Sequence, residues 1–160
     1  MQDVITSLGY LCLGSRFKRL GERLQSGVAE MLDSMGHSVQ PAHLPILMAL
    51  ASHGACSTGL LSHHVGISQP GITRAVTRLR ELDLVSLKSD SSDRRQTVIS
   101  LSARGTALLD ELRATLFPAV ERAVAQICET MEPGIIAHLE RIETALDRDP
   151  FGARVRAEMA

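Results

Sequence analysis

The sequence predicts a mainly α-helical fold with one small β-hairpin. Three observations carry that reading. Apolar residues recur at three- and four-residue steps over most of the chain. Two short helical stretches meet at a glycine-containing turn around Gly66. Directly after them, two runs alternate apolar and polar residues with period two on either side of a Ser- and Asp-rich segment.

Taken in order, Leu13, Phe17, Leu20, Leu24, Val28, Met31 and Met35 form one apolar stripe on a long helix that Gly36 ends. Gln40-Pro41 opens the next helix, because proline tolerates the first turn, where its missing N–H costs little. Gly54 closes that helix, and Pro45, about one turn inside, predicts a kink. Ser57 caps a short helix that stops at Gly66. Ser68 caps another, whose inner stripe is Ile72, Ala75, Val76, Leu79 and Leu82. The pair is a helix-turn-helix. "LVSLK" (84–88) and "QTVISL" (96–101) read as strands, with a seven-residue hairpin loop at 89–95; a hairpin in this position is a wing. Ser102 caps a long helix that Pro118 bends and "EPG" (132–134) breaks. Ile135, Leu139, Ile142 and Leu146 mark a last helix ending near Asp149-Pro150, and residues 150–160 read as a tail.

Composition narrows the function classes. A chain of 160 residues, 44% hydrophobic and 22% charged, is expected to fold as a single domain with a real core. Its net charge of −1 offers no global attraction to nucleic acid, so any basic site must be local. The aromatics are Tyr10, Phe17, Phe117 and Phe151 alone, too few for stacking single-stranded bases. Cys12, Cys56 and Cys128 are odd in number and form no CxxC pair, which points to a reducing, cytoplasmic setting. The apolar stretch at 4–13 has its positive residues after it rather than before it, the wrong order for a secretory signal. No run is long enough to span a membrane.

The chemistry concentrates on the second helix of the pair. At about 100° per residue, its outer face presents Pro70, Thr73, Arg74, Thr77, Arg78 and Glu81, and Gln69 stands at its start. A helix fits the major groove of B-form DNA, where arginine pairs with guanine through two hydrogen bonds and glutamine with adenine. Pro70 and Gly71 keep the helix start slim, which favours close backbone approach. From Arg74 to Arg95 there are six basic residues against four acidic ones, a local excess on a chain that is otherwise slightly acidic. A loop arginine can enter the minor groove, and Asp93 is spaced to hold Arg95 in a fixed rotamer. The bland alternative is a solvated helix face and an exposed ion pair in a turn.

Residues 36–112 resemble the MarR family of bacterial winged-helix transcription regulators. The likeness rests on "LLSHHVGISQPGITRAVTRLRELDLV" and "DSSDRRQTVISLSARGTALL". It implies a single winged helix-turn-helix domain over 1–160, with the DNA-binding lobe at 37–101 and dimerisation helices at 1–36 and 102–149. It implies a homodimer on double-stranded DNA, in all a repressor of a pseudo-palindromic operator. Carried over, Gln69, Thr73, Arg74 and Arg78 take recognition-helix positions, with Pro70 and Thr77 on the same face. Asp93 orients Arg95 at the wing, and Arg94 meets phosphate, as do Ser57, Thr58 and Lys88. A small-molecule effector is also implied, in a cavity between the dimer helices and the lobe. Pro70-Gly71 stands where many members have Ser or Thr, and Asp83 replaces a common glycine.

Other chemistry fares worse. His53, Cys56, His63 and His64 lack the HxxxH or CxxC spacing of a metal site, so none is expected. Cys12 lies where some relatives keep a redox-sensing thiol, with Arg16 one turn away, but it sits among leucines. No nucleophile motif, phosphate loop or paired carboxylates suggest an enzyme, and no cofactor is expected. Two contrasting readings are a winged-helix module that binds a protein without specific DNA, and a cysteine-based redox-sensing regulator.

Overall fold

The computed structural model describes residues 3–89, 97–130 and 134–159. The chain divides into two compact units, Met1–Leu116 and Phe117–Ala160.

In the first unit, Asp3 caps a short helix α1 (Val4–Ser7), and a 3-10 turn (Gly9–Cys12) leads into α2 (Leu13–Ser34). Gly36 adopts φ 82, and the His37 N–H reaches back to the Leu32 carbonyl at 2.9 Å. That left-handed closure stops the helix where expected. The stripe expected to be buried is not: Phe17, Leu20, Leu24 and Met31 are exposed, and in α2 only Leu32 is buried. Proline shapes the next element differently from the expected kink. Pro41–His43 form a 3-10 turn, and α3 (Leu44–His53) begins afresh with Pro45 in its first turn. The proline is thus accommodated at a helix start, not inside a helix.

Cys56–Ser57 form a two-residue strand, β1, that periodicity cannot register. It is followed by α4 (Thr58–Val65), α5 (Gln69–Glu81), β2 (Val85–Ser89) and β3 (Thr97–Leu101). The antiparallel sheet has the order β1-β3-β2, with Cys56 opposite Ile99 and Ser89 opposite Thr97. One core joins these parts: Ile46 and Leu47 from α3, Leu61 from α4, Ile72 and Leu79 from α5, and Ile99 from β3 are fully buried.

Ser102 Oγ accepts the Gly105 N–H at 2.9 Å and caps α6 (Ala103–Ala114). The long helix expected from Ser102 onwards breaks at Thr115, and α7 (Leu116–Cys128) begins anew. Pro118 explains a break three residues upstream of itself. Its ring collides with the carbonyl four residues back, Ala114, the last residue of α6. Placed in the first turn of α7, it does no harm.

The second unit holds most of α7, then α8 (Ile135–Arg148) and α9 (Phe151–Glu158). The last ten residues, expected as a tail, therefore carry a helix. Pro150 stands at its N-cap, and the Arg154 side chain donates to the carbonyls of Asp149 (2.9 Å) and Ala145 (3.0 Å), tying α9 to the end of α8. No residue of α8 or α9 is buried, and Ile136, Leu146 and Phe151 lie exposed.

Candidate nucleic-acid interface

The turn between α4 and α5 sets the geometry. Gly66 takes φ 70 and ends α4, its N–H bonded to the Ser62 carbonyl at 3.0 Å. The Ser62 hydroxyl donates to the Ile67 carbonyl at 2.5 Å, closing the turn from the other side. A Cβ on Gly71 would lie 2.7 Å from Ile67 Cγ2. The bare face of Gly71 thus also serves the packing of its own turn.

Beyond the turn, α5 is amphipathic. Ile72, Ala75, Val76 and Leu79 are buried, while Gln69, Pro70, Thr73, Arg74, Thr77 and Arg78 are all exposed. Pro70, Thr73, Arg74, Thr77 and Arg78, expected on one outer face with Glu81, are exposed together with it. Their chemical states differ. Thr73 Oγ1 donates to the Gln69 carbonyl (2.9 Å) and Thr77 Oγ1 to the Thr73 carbonyl (3.0 Å), so both hydroxyl protons are engaged within the helix and the oxygens remain as acceptors. Arg78 Nη1 donates to Glu81 Oε2 at 2.8 Å. Among the described residues Arg74 makes no ion pair.

Gln69 reaches sideways as well as outwards. Its Nε2 lies 3.5 Å from where a Gly59 Cβ would stand, with Ser57 Oγ 4.0 Å from the same point. The Gln69 amide thus lies over Gly59, near the Ser57 hydroxyl at the start of α4. Ser57 Oγ accepts the Leu60 N–H at 3.3 Å. This leaves the Thr58 and Gly59 N–H groups as the donors of that helix start without an intrahelical partner. Lys88 is exposed on β2, opposite Val98. Asp93, Arg94 and Arg95 lie outside the described residues.

Two features beside α5 take their form from the fold. His43 lies half-buried, with Nδ1 unpartnered among the described residues. Burial, and then the Arg78 charge, hold its imidazole below the ordinary histidine value. The end of α5 is also latched. Asp83 adopts φ 58, the Ser102 hydroxyl donates to its carbonyl at 2.6 Å, and the Ser102 N–H donates to the Leu84 carbonyl at 3.1 Å. The sequence marks Asp83 as standing where glycine is common, but not the contacts of either residue. Both depend on residues brought together by the fold.

Of the remaining candidates, Cys12 is half-buried at the N-cap of α2. Cys56 is buried, and burial pushes its thiol up. The His53 and His64 rings stack at 4.0 Å, with His63 6.1 Å from His64. Among the described residues no group of three or more His, Cys, Asp or Glu is arranged to hold a metal ion. No described helix is long and apolar enough to cross a membrane.

Residues 37–96 match the family described as MarR family. Over that stretch the chain is similar to MarR-family proteins. Members of that family are transcriptional regulators, not enzymes. The lobe is similar to the HTH-type transcriptional repressor NicR of Pseudomonas putida, 38% identical over 66 residues, which are 41% of this chain and 42% of NicR. The match thus spans less than half of that relative. A cysteine-to-serine mutant of Escherichia coli MarR, solved in complex with operator DNA, shares the fold with a TM-score of 0.72 at 13% identity, covering 91% of this chain and 99% of MarR. BpsR of Bordetella bronchiseptica, described for regulation of its DNA binding by 6-hydroxynicotinic acid, gives a TM-score of 0.55 at 23% identity, covering 74% of this chain and 91% of BpsR.

Proposed function

We propose that this chain is a MarR-family, double-stranded-DNA-binding transcriptional regulator that acts as a homodimeric repressor on a pseudo-palindromic operator. The observation that carries the reading is the outer face of α5, where Arg74 and Arg78 project beside Thr73 and Thr77, directly opposite the buried Ile72, Val76 and Leu79. A helix of that kind lies in the major groove with its arginines on guanine edges. Gln69 reads a base at the helix start, and the Thr58 and Gly59 N–H groups with Ser57 hold a phosphate. In this reading Lys88 and Arg94 contact backbone, and Asp93 orients Arg95 into the minor groove.

The relatives support it. NicR is named a repressor, and the fold matches that of a protein solved on operator DNA. The exposed apolar face of α2, with Phe17, Leu20 and Leu24, supports dimerisation, because large apolar side chains aligned on one helix call for a partner. BpsR supports control by a small-molecule effector.

The test is selection of bound fragments from random duplexes, followed by footprinting. The reading expects a two-fold symmetric motif whose half-sites are centred about one helical turn apart. Recovery of no enriched motif would favour the protein-binding alternative.

A further inference from the structure

We infer that Glu81 is a positioning residue, whose carboxylate holds the Arg78 guanidinium in place and so sharpens the sequence selectivity of the α5 face. The selectivity part of this inference rests on the duplex reading of that face. Arg74 and Arg78 stand four residues apart on the same exposed side of α5, yet they are held differently. Arg78 Nη1 donates to Glu81 Oε2 at 2.8 Å, a short charge-assisted bond. Arg74 makes no ion pair among the described residues.

Glu81 stands one turn beyond Arg78, on the side away from Arg74. Without it, Arg74 and Arg78 would face each other at a four-residue spacing, where like charges repel. The carboxylate draws the Arg78 guanidinium toward the end of the helix and keeps the two cations apart. It also occupies only one edge of the group. The bond uses Nη1, which leaves the parallel N–H groups of Nε and Nη2, the pair of donors that suits guanine O6 and N7. His43 is the other ionisable group close to Arg78. Burial, and then the Arg78 charge, hold its imidazole below the ordinary value, so at neutral pH Glu81 is the charged partner that Arg78 keeps.

The carboxylate has a second, opposite consequence. A negative charge beside a duplex weakens binding to every sequence alike, because the phosphates repel it. Its gain for the fold is small, since both side chains of the pair are about half exposed. What the pair supplies is order: a guanidinium already held loses less freedom when it meets a base edge. Glu81 therefore lowers general affinity and raises discrimination, a combination that a residue serving only to stabilise α5 would not produce.

The test joins duplex binding to side-chain NMR of the isotopically labelled full chain. The duplexes are a site selected from random sequence, its single-base-pair variants and an unrelated sequence. Glu81→Gln should bind the unrelated duplex as tightly as the native chain or more tightly. Its preference at one base pair of the site should fall about two- to tenfold, the cost of immobilising one long side chain on binding. In an Arg78→Ala background the same substitution should change that preference no further. In the free protein, nitrogen relaxation should find Arg78 Nε more ordered than Arg74 Nε, and Glu81→Gln should remove the difference. Unchanged preference in Glu81→Gln, an equal fall with Arg78 already absent, uniform weakening on every duplex, or equal order of the two arginines in the native chain would each overturn the inference. A native chain that prefers no duplex would overturn the DNA reading and with it the role in selectivity, while the relaxation result still decides whether Glu81 positions Arg78.

Discussion

Asp83 follows α5 with φ 58, a left-handed conformation that suits glycine and strains most side chains. The turn accepts the strain because three hydrogen bonds close on it: Asp83 N–H to the Arg80 carbonyl, Leu84 N–H to the Leu79 carbonyl, and the Ser102 hydroxyl to the Asp83 carbonyl. All three run through backbone atoms of Asp83 or its neighbours, so a glycine keeps them. Asp83→Gly should stabilise the fold by about 1 kcal/mol, read as a higher urea midpoint at unchanged slope. The departure from the common glycine is thus legible in the sequence, and its backbone consequence follows from chemistry alone. The inward role of Gly71 is not legible in the same way, because a missing Cβ does not say which neighbour needs the room.

At the scale of elements, α6 seats on the start of β2 through Gly105. A Cβ there would collide with the backbone carbonyl of Leu84, which already accepts the Ser102 N–H and cannot move aside cheaply. Gly105→Ala should cost about 3 kcal/mol or more, checked by chemical denaturation, whereas Gly134→Ala, with open space around it, should cost far less. The packing of α3 on α4 carries a pH dependence. His64 is stacked on His53 with His63 nearby. Desolvation, then the charges of His53 and His63, lower its pKa from the ordinary 6.5. His43 is shifted the same way. The folded chain then binds fewer protons than the unfolded one below that value, so stability should fall as pH drops from about 7.5 to about 5. Urea unfolding across that range should show the fall, and His64→Gln should flatten it. An unchanged profile in the variant would remove the stacked pair as the cause. The caps Ser57 and Ser102 and the stops Gly36 and Gly66 were readable because each has a local chemical reason. The strand β1 was not, since two residues hold no period, and the α6–α7 break lies upstream of Pro118 because the ring acts on a carbonyl one turn back.

For the whole molecule, the sequence pattern reveals that a face is apolar without saying what covers it. The α2 stripe reads as core by spacing, yet Phe17, Leu20 and Leu24 stay exposed in the isolated chain. Sedimentation should therefore report a dimer, and Leu24→Asp should shift it toward monomer; a wild-type monomer at micromolar concentration would contradict the dimer. The exposed face of α5 was legible in the sequence, because a two-sided helix declares its outer residues once its inner ones are known. The central claim is that the outer face of α5 reads a duplex. The slope of duplex affinity against salt, compared for the native chain and an Arg74→Ala, Arg78→Ala double variant on a selected site, tests it most directly. The account predicts steep weakening with salt for the native chain, a shallower slope in the variant, and a loss of about 1–3 kcal/mol for each arginine whose guanine contact is bidentate. Superimposable curves for the two proteins would contradict it.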